Sequence, residues 1–341
     1  MPAPSDDRNA SNSLLPHYLQ EDFGTQAFRE LISSLPRERG WLTPNIYNYK
    51  GFWLGAFHLQ GALRFQQHFQ AQDSDIMLIT LPKSGTIWLK ALVFALITRE
   101  QFLASQETPH PLLTNNPHEL IPFVDVSYAR EPTPDFPPIS NGVKVRVVST
   151  HFPYAFLPES VRKTDCKLIY LCRSPKDTVV SYWHFANRMR GENNEMKEIS
   201  LEEAVENYCR GVSLGGPFWD HTLGYWKESS ENPRKVLFVK YEEMKEKPEV
   251  HLRRLAAFLG CPFSEEEEEG GVVGEILRLC SFDNLSGLEV NRSGKGVFGT
   301  TNSVMFRKGE VGDWRNHLTD EMASRVDQIV EEKFNGSGLK P

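Results

Sequence analysis

The chain has 341 residues, 40% hydrophobic and 24% charged, with a formal net charge of −7. A globular α/β enzyme of this length buries a core that needs no disulfide or metal staple. The acidic balance argues against nucleic-acid binding, which needs a basic face, although a local cluster of Lys and Arg still holds an anion within a Debye length of about 8 Å.

The polar, acidic N-terminus has no apolar run of signal-peptide type, and no segment reaches the roughly 18 apolar residues of a membrane span. The five cysteines are odd in number and form no CxxC pair. A reduced, cytoplasmic protein without a metal site is therefore expected.

Residues 1–20 read as a disordered tail, and 21–341 as a single domain. An aromatic-rich stretch (Trp41, Tyr47, Phe52, Trp53, Phe57) predicts helices or turns. The first clear strand is 76–80, a short apolar run. It is followed by the turn 81–86 and a mostly buried helix over 87–96. The prolines of 105–142 predict a long loop. Further strands are expected at 143–149 and 167–172. Pro175 suits the first turn of a helix running through Arg188. Helices at about 200–212 and 217–229, a strand at 236–240 and a helix at 248–259 follow. The five glutamates at 265–269 predict a solvated helix start. The Gly-, Asn- and Ser-rich stretch 283–309 reads as a lid or binding loop, and 319–334 as a final helix. Strands alternating with helices predict a parallel sheet covered on both faces, with ligands beyond the carboxyl ends of its strands. The polar segments 80–86, 149–151 and 173–177 should converge there.

Four motifs carry chemistry. In Thr80-Leu81-Pro82-Lys83-Ser84-Gly85-Thr86-Ile87-Trp88 a strand, a Gly-containing turn and a helix start form an anion cradle, although the full GxxxxGK[ST] pattern is missing. Arg173 leaves a strand end, and Ser181 lies about two helical turns on, so both can reach one phosphate. Arg307-Lys308-Gly309, shortly before Gly312-Asp313-Trp314, puts two cations beside a close backbone approach. His151, in Thr150-His151-Phe152-Pro153, is a candidate base. Each motif alone also describes an ordinary turn, cap or structural histidine.

Together, TLPKSGTIW, STHFP, CRSPKDTVVSYWHF, VKYEEM, CSFDNL and RKGEVGDWRNHLT resemble the cytosolic sulfotransferase family, in this order and over roughly residues 50–335. NPHELIPF and GPFWDHTLGYWKES resemble its plant branch. The resemblance implies a five-stranded parallel sheet related to nucleotide kinases. It implies transfer of a sulfuryl group from 3′-phosphoadenosine 5′-phosphosulfate (PAPS), without a metal, to a hydroxyl of a small phenolic, flavonoid or steroid-like acceptor.

By the same resemblance Lys83, Ser84, Gly85 and Thr86 hold the 5′-phosphosulfate, and Trp88, Tyr241 and Phe282 enclose the adenine. Arg173, Ser181, Arg307, Lys308 and Gly309 hold the 3′-phosphate, and His151 is the base. Phe123 and Phe185 match positions lining the acceptor pocket. Three departures stand out. Ser149 replaces the family lysine of the KTH segment, and Ile87 replaces a threonine. Asp320 and Ser324 break the animal dimer motif, so a monomer is expected. Two other readings stay open on the residues alone: a small-molecule kinase, which needs Mg²⁺ ligands, and a binding module without turnover.

Overall fold

The computed structural model describes residues 24–103, 109–193, 196–296 and 299–340. The expected tail at 1–20 lies outside them. Seven strands occur among the described residues. β1 (Arg37–Arg39), β2 (Asn45–Tyr49) and β3 (Phe52–Leu54) form a small antiparallel sheet. β4 (Ile76–Thr80), β5 (Val147–Thr150), β6 (Lys167–Cys172) and β7 (Val236–Lys240) form the central sheet. Its four strands are all parallel, in the order β5-β4-β6-β7.

Alternate residues of the central strands feed two cores. Met77, Ile79, Leu168, Tyr170, Val236 and Phe238 face one; Ile76, Leu78, Ile169, Leu171, Leu237 and Val239 face the other. Burial on both sides is why these strands read as continuous apolar runs. The helix Thr86–Ile97 covers the second face with Leu89, Leu92, Val93 and Leu96. The helices Ala56–His68, Pro175–Asn193 and Phe218–Glu231 pack on the first.

Four expectations are corrected. The parallel sheet has four strands among the described residues rather than five. Only four short apolar runs precede or follow crossover helices, and the fifth strand rested on the resemblance alone. The aromatic stretch is not simply helix or turn. Lys50 and Gly51 both have positive φ (51° and 89°), which makes the two-residue turn of a hairpin whose flanking partners are Tyr49 and Phe52. The 105–142 segment carries the helices Pro117–Leu120 and Val124–Arg130 among its described residues, and the stretch from 282 carries Phe282–Gly287 and Glu289–Arg292.

The glutamate run is a helix, Glu265–Glu269, capped by Ser264; Glu267 pairs with Arg99 and Glu268 with Arg253. No helix of the described residues is long and apolar enough to cross a membrane.

Candidate active site

All four central strands end on one cavity of about 550 Å³. β4 delivers the turn to Gly85, β5 His151, β6 Arg173 and β7 Tyr241. Lys83 and Gly85 take left-handed backbone, with φ of 68° and 102°. These two residues fold the chain back so that the Thr86–Ile97 helix starts at the cavity with free amides and its positive dipole end. A Cβ at Gly85 would sit 2.8 Å from the Tyr241 ring, so this position needs glycine twice over.

Lys83 is half-buried. Its Nζ donates to the Met305 carbonyl at 3.3 Å and lies 4.4 Å from the Phe185 ring centroid. Burial, then the charges of Arg173, Arg188 and Arg307, push its ammonium down to about 7. A cation so crowded by cations gains from an anionic partner.

Arg173 donates to the carbonyls of Lys83 (3.2 Å) and Glu310 (2.8 Å) and stacks 4.6 Å over Tyr241. Its Nε is buried with no partner among the described residues. Arg307 pairs with Asp313, yet its Nε is also buried and unpaired. Lys308 Nζ meets the other Asp313 oxygen at 2.5 Å. Burial alone would raise the Asp313 carboxyl, but donors from Lys308, Asn316 and Arg307 hold it well below the ordinary range. The 306–314 loop is tied down from the Pro175–Asn193 helix, where Asp177 accepts from the Gly312 and Trp314 amides at 2.7 and 3.0 Å. Tyr241 closes the loop from below, its hydroxyl donating to the Gly309 carbonyl at 2.9 Å. Trp88 stands edge-on to Tyr241 at 5.4 Å, and Phe282 faces Phe306 at 6.1 Å.

His151 is placed by the register of β4 against β5, where Ile79 pairs with Thr150. Its Nδ1 lies 2.7 Å from the Thr80 carbonyl and 3.3 Å from Thr80 Oγ1. A carbonyl only accepts, so Nδ1 carries the proton and Nε2 keeps the basic lone pair. Burial lowers the imidazole to about 3; the Thr80 bond opposes this, and Lys90, His58 and His221 reinforce it. His221 Nε2 donates to the His151 carbonyl at 3.1 Å and Tyr225 to the Phe152 carbonyl at 2.8 Å, fixing this backbone from the opposite helix.

Lys83, Gly85, Thr86, Trp88, Phe123, His151, Arg173, Ser181, Phe185, Tyr241, Phe282, Arg307, Lys308 and Gly309 all line this cavity; Ser84 does not, being buried under the turn. Ser149 does not line it either. Its amide and hydroxyl both donate to the Pro122 carbonyl, at 2.9 and 3.0 Å. That stitches the 121–123 segment to β5 and sets Phe123 4.9 Å from the His151 ring.

Sequence reasoning gave no role to Asp313 or Thr80, nor to Trp41, His58, His118 and Tyr182, which also line the cavity. Asp313 had a signal, a carboxylate six residues after Arg307. Thr80, His118 and Tyr182 lie inside segments read above, but only the packed chain shows them at the site; Trp41 and His58 come from separate segments.

A family model for the sulfotransferase domain matches residues 73–338. The chain belongs to the sulfotransferase family. This sulfotransferase is 50% identical over 331 residues to cytosolic sulfotransferase 12 of Arabidopsis thaliana, covering 97% of this chain and 99% of that one. A crystal structure of an Arabidopsis thaliana putative steroid sulphotransferase superposes with a TM-score of 0.74 at 45% identity, covering 96% and 99% of the two chains. A mouse sulfotransferase complexed with PAP gives a TM-score of 0.62 at 27% identity, covering 86% and 96%. The sulfotransferase therefore shares fold and length with plant cytosolic enzymes of sulfuryl transfer.

Proposed function

We propose that this sulfotransferase moves the sulfuryl group of PAPS to a hydroxyl of a small uncharged acceptor, phenolic, flavonoid or steroid-like, with His151 as general base. The carrying observation is that His151 donates Nδ1–H to the Thr80 carbonyl at 2.7 Å, leaving a basic Nε2 in the same cavity as Lys83. The complex of the mouse relative with PAP supports the nucleotide assignment.

The residues present fit such a nucleotide. The unpaired Nε groups of Arg173 and Arg307 await an acceptor, and a 3′-phosphate dianion supplies it, joined by Ser181, Lys308 and the Gly309 amide. The Gly85–Thr86 helix start and Lys83 suit the 5′-phosphosulfate, and Trp88, Tyr241 and Phe282 suit the adenine. His151 Nε2 takes the acceptor proton as the acceptor oxygen bonds to sulfur. The bond from sulfur to the bridging phosphate oxygen breaks, and Lys83 stabilises the charge left on that oxygen. Positioning of both substrates in line supplies much of the acceleration. Phe123 and Phe185 flank the acceptor. A monomer in the cytoplasm is proposed with this reading, and size-exclusion chromatography checks the first part.

The test is His151→Ala. The expected loss in kcat is about 10²–10⁴, with PAP affinity within a few-fold of the parent. A large change in PAP Kd with kcat preserved at saturation would refute the base role.

A further inference from the structure

Two further histidines enter the acceptor end of the cavity, and the chemistry above uses neither. His58 sits on the first turn of the Ala56–His68 helix, and His118 on the short helix Pro117–Leu120. Both line the cavity, and both are more than nine-tenths buried, at 8% and 9% exposure. Nδ1 of each is enclosed without a hydrogen-bonding partner among the described residues. Phe123 lies between two imidazoles, its ring 4.9 Å from that of His118 and 4.9 Å from that of His151. The surrounding wall is apolar and aromatic, with Tyr182, Phe185 and Met189.

Buried polar groups in native proteins are almost always paired, and an unpaired one signals a missing partner. We propose that His58 and His118 form a second polar subsite that binds a hydroxyl on the acceptor remote from the one that reacts at His151. The preferred acceptor is therefore a flat, uncharged diol or polyol. This rests on the functional reading above and adds a requirement to it.

The chemistry selects a hydroxyl over other groups. Burial pushes His58 down to about 4, and pushes His118 down too, with Lys90, His151 and Lys83 adding to the effect; both rings are neutral. A neutral imidazole gives one hydrogen bond and accepts one, and a hydroxyl does the same, so either tautomer is served. A carboxylate only accepts hydrogen bonds, and neither imidazole offers it a full charge. An ether serves only the N–H tautomer and a bare ring serves neither, and a polar site rejects a ligand that leaves its buried nitrogen unpaired more strongly than an apolar site rejects an added hydroxyl.

The experiment compares kcat/KM for a naphthol with one hydroxyl against a naphthalene diol carrying a hydroxyl at each end. It is run on the full chain with PAPS, and on His118→Phe, His118→Gln and His58→Phe. Two equivalent hydroxyls give the diol a statistical twofold advantage. The parent should exceed that by about five- to tenfold, the worth of one neutral hydrogen bond. The Phe variants should fall back to twofold while turning over the naphthol at near-parental rates, and His118→Gln should keep part of the preference. Equal preference in parent and Phe variants overturns the subsite. Equal loss in Gln and Phe variants overturns it too, because shape rather than hydrogen bonding would then be at work. Failure to bind PAP or to sulfate either compound would strike the functional reading instead.

Discussion

The two halves of the cavity are built on opposite principles. The half proposed for the nucleotide is crowded with fixed charge: Lys83, Arg173, Arg307 and Lys308 converge, and loop 306–314 is held by Asp177 and Asp313. The half proposed for the acceptor holds aromatic rings and imidazoles lowered by burial, drawn from segments as distant as Trp41, His118 and Phe185. A dianion of fixed shape rewards preset cations and short sequence motifs. A flat, largely apolar molecule rewards only a wall of suitable outline, which many sequences provide.

The largest effect that separates the halves should come from Lys83→Met. This change keeps the stem over Phe185 and removes the charge. Sulfuryl transfer should fall by at least about 10³, while the melting temperature stays within a degree or two. Near-normal turnover would remove Lys83 from leaving-group stabilisation and with it the electrostatic contrast between the halves.

That contrast also explains what the sequence made legible. Lys83, Gly85, Thr86, Trp88, Arg173, Ser181 and the 307–309 loop sit in contiguous motifs because each element end must present them at one point. The apolar runs of β4, β6 and β7 were readable because burial on both faces leaves little choice of residue. The β2–β3 hairpin was not recognised, although Lys50-Gly51 carries its turn signal. Ser84 has the right motif position but points beneath the turn. His58 and His118 carried no role in the chain, since only folding brings the helices Ala56–His68 and Pro117–Leu120 to one cavity. Ser149, noted as a missing lysine, proved to be a stitch to Pro122, which only the fold could reveal.

The halves should also titrate in opposite ranges. On the nucleotide side, Lys83 is lowered to about 7 in the free protein by burial and by neighbouring arginines. A bound dianion restores its charge, so binding takes up a proton above that pH. PAP affinity should fall by up to about tenfold per unit as pH rises past 7, and Lys83→Met should flatten the slope. Calorimetry in two buffers of different ionisation heat reads the proton directly.

On the acceptor side, burial leads in lowering His58, His151 and His221, to about 4, 3 and 4. Their folded values lie below the unfolded value of about 6.5. The unfolded chain therefore binds more protons, and stability is lost as pH drops below 6.5. Asp125, raised to about 7 chiefly by burial, works the other way but is one group against these imidazoles and against His118, which burial also lowers. The melting temperature should be several degrees lower at about pH 5 than at about pH 7. A rise over that range would mean the imidazoles are charged in the folded protein. If His151 is the base as proposed, its neutral form is the active one, and the acid limb of kcat should likewise lie well below 6.5.

The smallest predicted effect concerns the seam between the halves, at Tyr241. Its ring packs under Arg173 and against Trp88, while its hydroxyl makes one bond, to the Gly309 carbonyl. Tyr241→Phe keeps the ring and removes that bond. A neutral hydrogen bond is worth about 1 kcal/mol, so PAP binding should weaken by about three- to tenfold. The loop stays anchored through Asp177, which is why the loss should not be larger. Acceptor KM should not move, since no acceptor-side group touches this hydroxyl. A change in acceptor KM of similar size would show that loop 306–314 shapes both sites, and the division of the cavity into two independent halves would have to be abandoned.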